Sequence, residues 1–134
     1  MLFWLIGVLC LAQGSANAEQ AELEKLQGRW RVVKVANDGI TENFDGDRGI
    51  TISGNRFVPS DNVEDVATVK LDPSKKPAWL DLTERNNKTA KGIYRLTGNK
   101  LEIAIQEGDG ERPDKFESPP KSKVIVLVLE RVKN

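Results

Sequence analysis

The chain has 134 residues, with twenty basic and twenty acidic side chains, no histidine and a single cysteine, Cys10. That length fits one domain. The charges cancel and are interspersed, so there is neither the basic stripe that nucleic acid selects nor a polybasic patch for a membrane surface.

Residues 1–18 differ from everything after them. Leu2 to Leu11 is an apolar run, Ala12-Gln13-Gly14-Ser15 turns small and polar, and Ala16-Asn17-Ala18 has the A-x-A form of a cleavage site. The run is too short to span a hydrocarbon core, which needs about 20 residues. We read residues 1–18 as a secretory signal peptide cut near Ala18, and expect an exported product, periplasmic or extracellular. No basic residue precedes the run, and Leu9 stands where a lipoprotein site takes a small residue, so Cys10 does not read as an anchor. The domain is then residues 19–134, which contain neither cysteine nor histidine. Packing must hold it, and the usual transition-metal ligands, imidazole bases and thiol nucleophiles are missing. An enzyme would be left with carboxylates, lysines, serines or Tyr94. No pair of acids has a spacing that singles it out, so we expect no enzyme, no metal and no cofactor.

Glu19 to Leu26 has helix-forming composition, with Leu23 and Leu26 three apart. Gly28 ends that lead-in where a Cβ would hinder a sharp turn, and Trp30 opens a valine-rich strand that alternates poorly and runs to Ala36. Asn37-Asp38-Gly39 is a hairpin signal, and Thr41 to Arg48 reads as a loop. Further strands are expected over 49–53 and 56–58 around Gly54-Asn55, over 63–71, and over 78–83 after a turn with two prolines. Glu84 to Thr89 reads as a loop. Residues 92–96 and 100–105 flank Gly98-Asn99, and a long loop over 106–122 precedes a last strand over 123–131. That last strand is apolar on both faces and needs a cover, which the Glu19–Leu26 helix or a second protomer could supply.

Eight short strands joined mostly by hairpins favour an antiparallel sandwich or barrel. Closure removes exposed edges, so the expected fold is all-β: an eight-stranded antiparallel up-and-down barrel with a short N-terminal helix. Its inward face would carry Trp30, Val32, Ile50, Ile52, Phe57, Val69, Leu71, Leu80, Leu82, Tyr94, Leu96, Leu101, Ile103, Ile105, Ile125, Leu127 and Leu129, with only Ala67 and Ala78 small. An eight-strand lumen is wide enough to be filled by side chains or to hold one small ligand, and this list favours filling. Tyr94 is its one polar group away from the closed end.

Gly28-x-Trp30 after a short helix, followed by meandering strands and the late Arg131, resembles the lipocalin and calycin pattern. In that group the tryptophan lies at the closed end of the barrel with the arginine packed across it. The resemblance therefore implies barrel closure by Gly28, Trp30 and Arg131, and a guanidinium over an indole would add about 0.5 to 2 kcal/mol. The domain resembles more closely a family of small lipocalin-like domains abundant in planctomycete bacteria. The residues that carry this are Leu26-Gln27-Gly28-x-Trp30, Leu71-Asp72-Pro73 with Lys76-Pro77, Asp81-Leu82, Gly92-Ile93-Tyr94, Arg112-Pro113-x-x-Phe116, and Leu127 to Arg131. The segment from Gly39 to Arg48 carries no matching motif. The resemblance implies a fold and a bacterial, exported setting, but no activity.

Three loop motifs invite chemistry. Asn43-x-Asp45-x-Asp47 alternates oxygen ligands as a calcium loop does, but Arg48 stands where glycine is needed and Gly54 where glutamate is, so it reads as a solvated acidic loop. Asn87-Lys88-Thr89 is a glycosylation triplet, meaningful only in a eukaryotic secretory pathway. Arg112-Pro113-Asp114-Lys115-Phe116 has two readings. As a lid, Phe116 folds over the barrel mouth and Arg112 binds an anionic group. As an anchor, Phe116 packs on the barrel and Arg112 pairs with a carboxylate such as Asp81; the anchor is favoured.

Two functions follow. One is a binding module for a small hydrophobic molecule, with Trp30 as floor, Tyr94 as polar contact, and Arg112 and Phe116 at the gate; it rests on fold analogy. The other is a packed scaffold that contacts an envelope protein, with Trp79, out of phase with Leu80 and Leu82, as an exposed anchor. Neither involves nucleic acid or a membrane span. A void well below a few hundred Å³ would favour the scaffold.

Overall fold

The computed structural model describes residues 17–133. Most of the expected signal peptide, with Cys10, lies outside the described residues. A helix, α1, covers residues 17–25, and nine strands follow: β1 Gly28–Asn37, β2 Ile40–Asn43, β3 Gly49–Ser53, β4 Arg56–Pro59, β5 Ala67–Asp72, β6 Ala78–Thr83, β7 Thr89–Thr97, β8 Lys100–Gln106 and β9 Val124–Arg131.

Every neighbouring pair is antiparallel, and β9 returns to pair with β1 from Trp30↔Arg131 to Asn37↔Ile125. The result is a closed eight-stranded barrel with β2 as an appendage. Among the described residues, closure pairs both edges of the barrel's eight strands, and β2, hydrogen-bonded to β1 alone, keeps the one outer edge. The connections after β1, β4, β6 and β8 gather at one end, while α1, the tight turns at Gly54 and Gly98, the 73–77 turn and the C-terminus gather at the other.

Two departures from the expected strands have physical causes. Thr41 to Arg48 reads as a loop because it is polar and contains glycine, yet Ile40–Asn43 form a strand, with all four side chains exposed. They pair with Lys34–Asn37 because β3 covers only Gly28–Arg31 of that edge, which leaves the upper half of β1 with free donors and acceptors. Residues 44–48 bulge out between the two, held by Phe44 N donating to Val33 O at 2.9 Å and Val32 N to Arg48 O at 2.8 Å. The other cause is a β-bulge in β1: Val32 pairs with Leu129 but Lys34 with Val128, which leaves Val33 as the extra residue. Trp30 and Val32 therefore point inward below the bulge, and Val35 joins the same core above it. The poor alternation of this strand is that phase change.

The main core contains every residue expected inward except Ala78, Leu96 and Leu127, which pack against it half-buried, and Ile125. It also takes in Leu23 and Leu26 of the N-terminal segment. The helix thus closes one end of the barrel and does not cover the last strand. That cover is the 107–123 strap. On the outer face, Trp79↔Ile93↔Ala104↔Val126↔Ala36 form a row across five adjacent strands. Ile93, Ala104, Val124 and Val126 make a second small core with Phe116 and Ala36 packed on it.

Candidate functional site

The two ends of the barrel are built differently. At the closed end Trp30 is 1% exposed, and its indole Nε1 donates to Leu26 O at 2.9 Å. Arg131 lies across the ring with its guanidinium carbon 4.3 Å from the centroid, and donates to Gln27 O at 2.8 Å and Lys25 O at 2.6 Å. Those two carbonyls lie at the end of α1, where helical acceptors lack partners, so one cation satisfies them and stacks on the indole. Gly28 holds φ +118, a region side chains rarely adopt, which lets the chain turn from helix into barrel.

Tyr94 belongs to this end. Its ring is buried, and its hydroxyl donates to Glu22 Oε1 of the helix at 2.9 Å. Burial, then the hydrogen bond and negative charge of Glu22, push the phenol pKa well above its ordinary value. The Lys25 ammonium, 2.7 Å from Glu22, holds that carboxyl below its ordinary value; partial burial opposes this and the tyrosine hydroxyl adds to it. Glu19 also reaches the sheet, accepting from Leu71 N at 2.9 Å.

Toward the other end the inward side chains become progressively uncovered. Along β8 Leu101 and Ile103 are 0% exposed and Ile105 is 9%; along β6 Leu80 is 0% and Leu82 is 9%; on β9 Leu129 is 0%, while Leu127 and Ile125 are half-buried. Above them lies a cavity of about 540 Å³. Its wall is Phe57, Pro59, Leu82, Ile105, Ile125 and Leu127, and Ala67 and Ala90 leave the room. Its rim is polar: Asp65, Glu84, Lys88, Thr89, Glu107 and Asp109. The lumen was expected to be filled. Filling stops halfway because two alanines face the upper lumen, where the long side chains of the lower layers are absent.

The residues singled out from sequence stand elsewhere. None of Trp30, Tyr94, Arg112 and Phe116 lines this cavity. Trp30 and Tyr94 are in the closed half. Tyr94 and Phe116 do share a shallower groove of about 420 Å³ on the outside of that half, with Lys25, Lys75, Lys76 and Arg95. Arg112 is on the barrel wall: Nη1 is 2.6 Å from Asp81 Oδ1 and donates to Gly92 O at 2.7 Å, and the guanidinium stacks 4.0 Å from the Trp79 ring. Phe116 is covered in turn by Arg95, 4.4 Å from its centroid. The strap is therefore pinned by two reciprocal arginine–aromatic stacks, the anchor arrangement, and Phe116 is not over the mouth. Ser118 completes the fastening, accepting from Asp38 N at 3.0 Å and donating to Val124 O at 2.5 Å.

The rim residues were missed because each looks plain in its own loop. The signal was topological: in an up-and-down meander alternate connections share an end, so 60–66, 84–88 and 107–111 had to converge. Among the described residues no group of three or more histidine, cysteine, aspartate or glutamate side chains is placed to hold a metal ion, and no helix is long and apolar enough to cross a membrane. In comparisons with protein-family models, curated proteins and solved structures, no family model, no curated protein and no solved structure matches the chain.

Proposed function

We propose that this barrel is an exported, lipocalin-like binding module that takes a small apolar molecule through its open end. The cavity carries the reading. A space of about 540 Å³ with apolar walls and a few polar groups at its edge has the size and make-up of a small-molecule site. The filled, hydrogen-bonded closed half beneath it supplies a rigid floor, so little ordering cost opposes entry. The leader-like composition of residues 1–18 supports export.

The features that suggested a scaffold have partners within the chain. Trp79 is exposed, as expected, but it is stacked by Arg112 and approached by Lys75 at 4.8 Å, and the outer row of β9 is under the strap. The test is titration with a hydrophobic fluorescent probe and a lipid panel. Saturable uptake is expected, and Ala90→Phe, which places a ring in the lumen, should abolish it while the protein stays folded. No saturable uptake by the parent protein, or uptake that Ala90→Phe leaves unchanged, refutes the reading.

A further inference from the structure

The chain has no net charge, but its charges are not evenly divided over the folded surface. The connection 60–66 contains Asp61, Glu64 and Asp65 and no basic residue, although Asp61 is 3.9 Å from Arg48. The strap opens with Glu107, Asp109 and Glu111 before its basic residues Arg112, which is paired with Asp81 on the wall, Lys115, Lys121 and Lys123. On the rim itself Asp65, Glu84, Glu107 and Asp109 face one lining cation, Lys88. Among the described residues these four carboxylates make no salt bridge, whereas Asp81, Glu22 and Glu102 in the closed half and on the wall are each paired. The wall below the rim is wholly apolar, so any charged part of an occupant must stay at the mouth, where the acids are.

We infer that the preferred occupants are amphiphilic cations: molecules with an aliphatic or aromatic body that fills the lumen and an amine or quaternary ammonium head left at the rim. This rests on the proposed binding role and adds the ligand's charge class. An apolar tail alone would gain the burial term but nothing from the rim. A carboxylate or sulfate head would be placed among four like charges with Lys88 as its only lining counter-ion. The rim carboxylates are exposed, so their attraction is spread over several weak interactions that salt screens. Lys123, beside Gly108, reduces the acidic excess without reversing it.

The experiment is calorimetric titration of the protein with three ligands of one chain length, octyltrimethylammonium, 1-octanol and octanoate, at neutral pH in low and in high sodium chloride. At low salt the cation should bind about fivefold tighter than the alcohol and octanoate about as much weaker, with the spread closing at high salt. In E84Q/E107Q/D109N, all changes to exposed rim side chains, the cation's advantage over the alcohol should vanish. Equal binding of all three, tighter binding of octanoate, or a cation preference that survives the triple substitution overturns the inference and leaves the binding role standing. If none of the three binds, the binding role falls and the inference with it.

Discussion

The closed and open halves of this barrel are made by the same strands and the same alternation, yet one is solid and the other hollow. In the closed half a tryptophan, Leu23 of the helix, Leu26 just after it and layers of leucine and isoleucine meet with almost no exposure, and the polar atoms of Trp30, Arg131 and Tyr94 each find a named partner. In the open half Ala67 and Ala90 replace long side chains, and the loops contribute charge in place of hydrogen-bonded closure. Stability and ligand space are thus assigned to opposite ends, and substitutions at one should leave the other's property largely intact.

The largest expected effect is at the plug. Trp30→Ala removes a fully buried indole and the surface on which Arg131 lies, and should cost about 3 to 5 kcal/mol by chemical denaturation. A loss under about 1 kcal/mol would mean that the closed end is not where stability resides. Next is Arg131→Met, which keeps the apolar stem but loses the stack and two donors to helix carbonyls. It should cost about 2 kcal/mol and loosen α1, read as faster amide exchange in the helix.

Phe116→Ala separates the strap from both ends. The ring is half-buried on an outer face, so about 1 to 2 kcal/mol should be lost while probe affinity at the mouth stays unchanged. A large change in affinity with little change in stability would restore the lid.

The smallest effect is a pH dependence at the closed end. The folded phenol pKa of Tyr94 is raised, so its contribution to stability is complete below the ordinary value of 10.0 and declines as pH rises through and above it, because the unfolded chain releases that proton first. Between neutral pH and about pH 11, Tyr94→Phe should lose less stability than the parent protein, the difference between the two curves isolating this group from the lysines. Parallel curves would show that the hydroxyl is not held as described. At the acid side the sign reverses. Glu22 is held low by Lys25, and at Glu102 partial burial pushes the carboxyl up but Lys100 and Arg95 together outweigh it and hold it low, so their contribution is present above the ordinary carboxylate pKa and lost as pH falls through the folded values.

Much of this barrel was legible in the chain. Strand positions followed from period-two alternation and from glycine-containing turns, both local properties: Asp38 at φ 52 and Gly39 at φ 77 make the hairpin that Asn37-Asp38-Gly39 announced. The inward face was legible too, since a residue's parity in a strand decides its side. Even the poor alternation of β1 was visible, although its cause, the bulge at Val33, needed the register with β9. The candidate site was scarcely legible, because aromatic and arginine residues with individual character drew attention while the rim residues have none alone.

What the sequence by itself determined is eight of the nine strands, the turns between them and which side chains are apolar on which face, because neighbours a few residues apart dictate those. Only the tertiary structure decided that β2 would pair with the vacant half of β1's edge, that the strap would roof the outer row, that two alanines would leave the upper lumen hollow, and that a chain without net charge would gather carboxylates at one mouth. Each depends on residues far apart in sequence arriving at one place, which is set by closure and register and not by any local propensity.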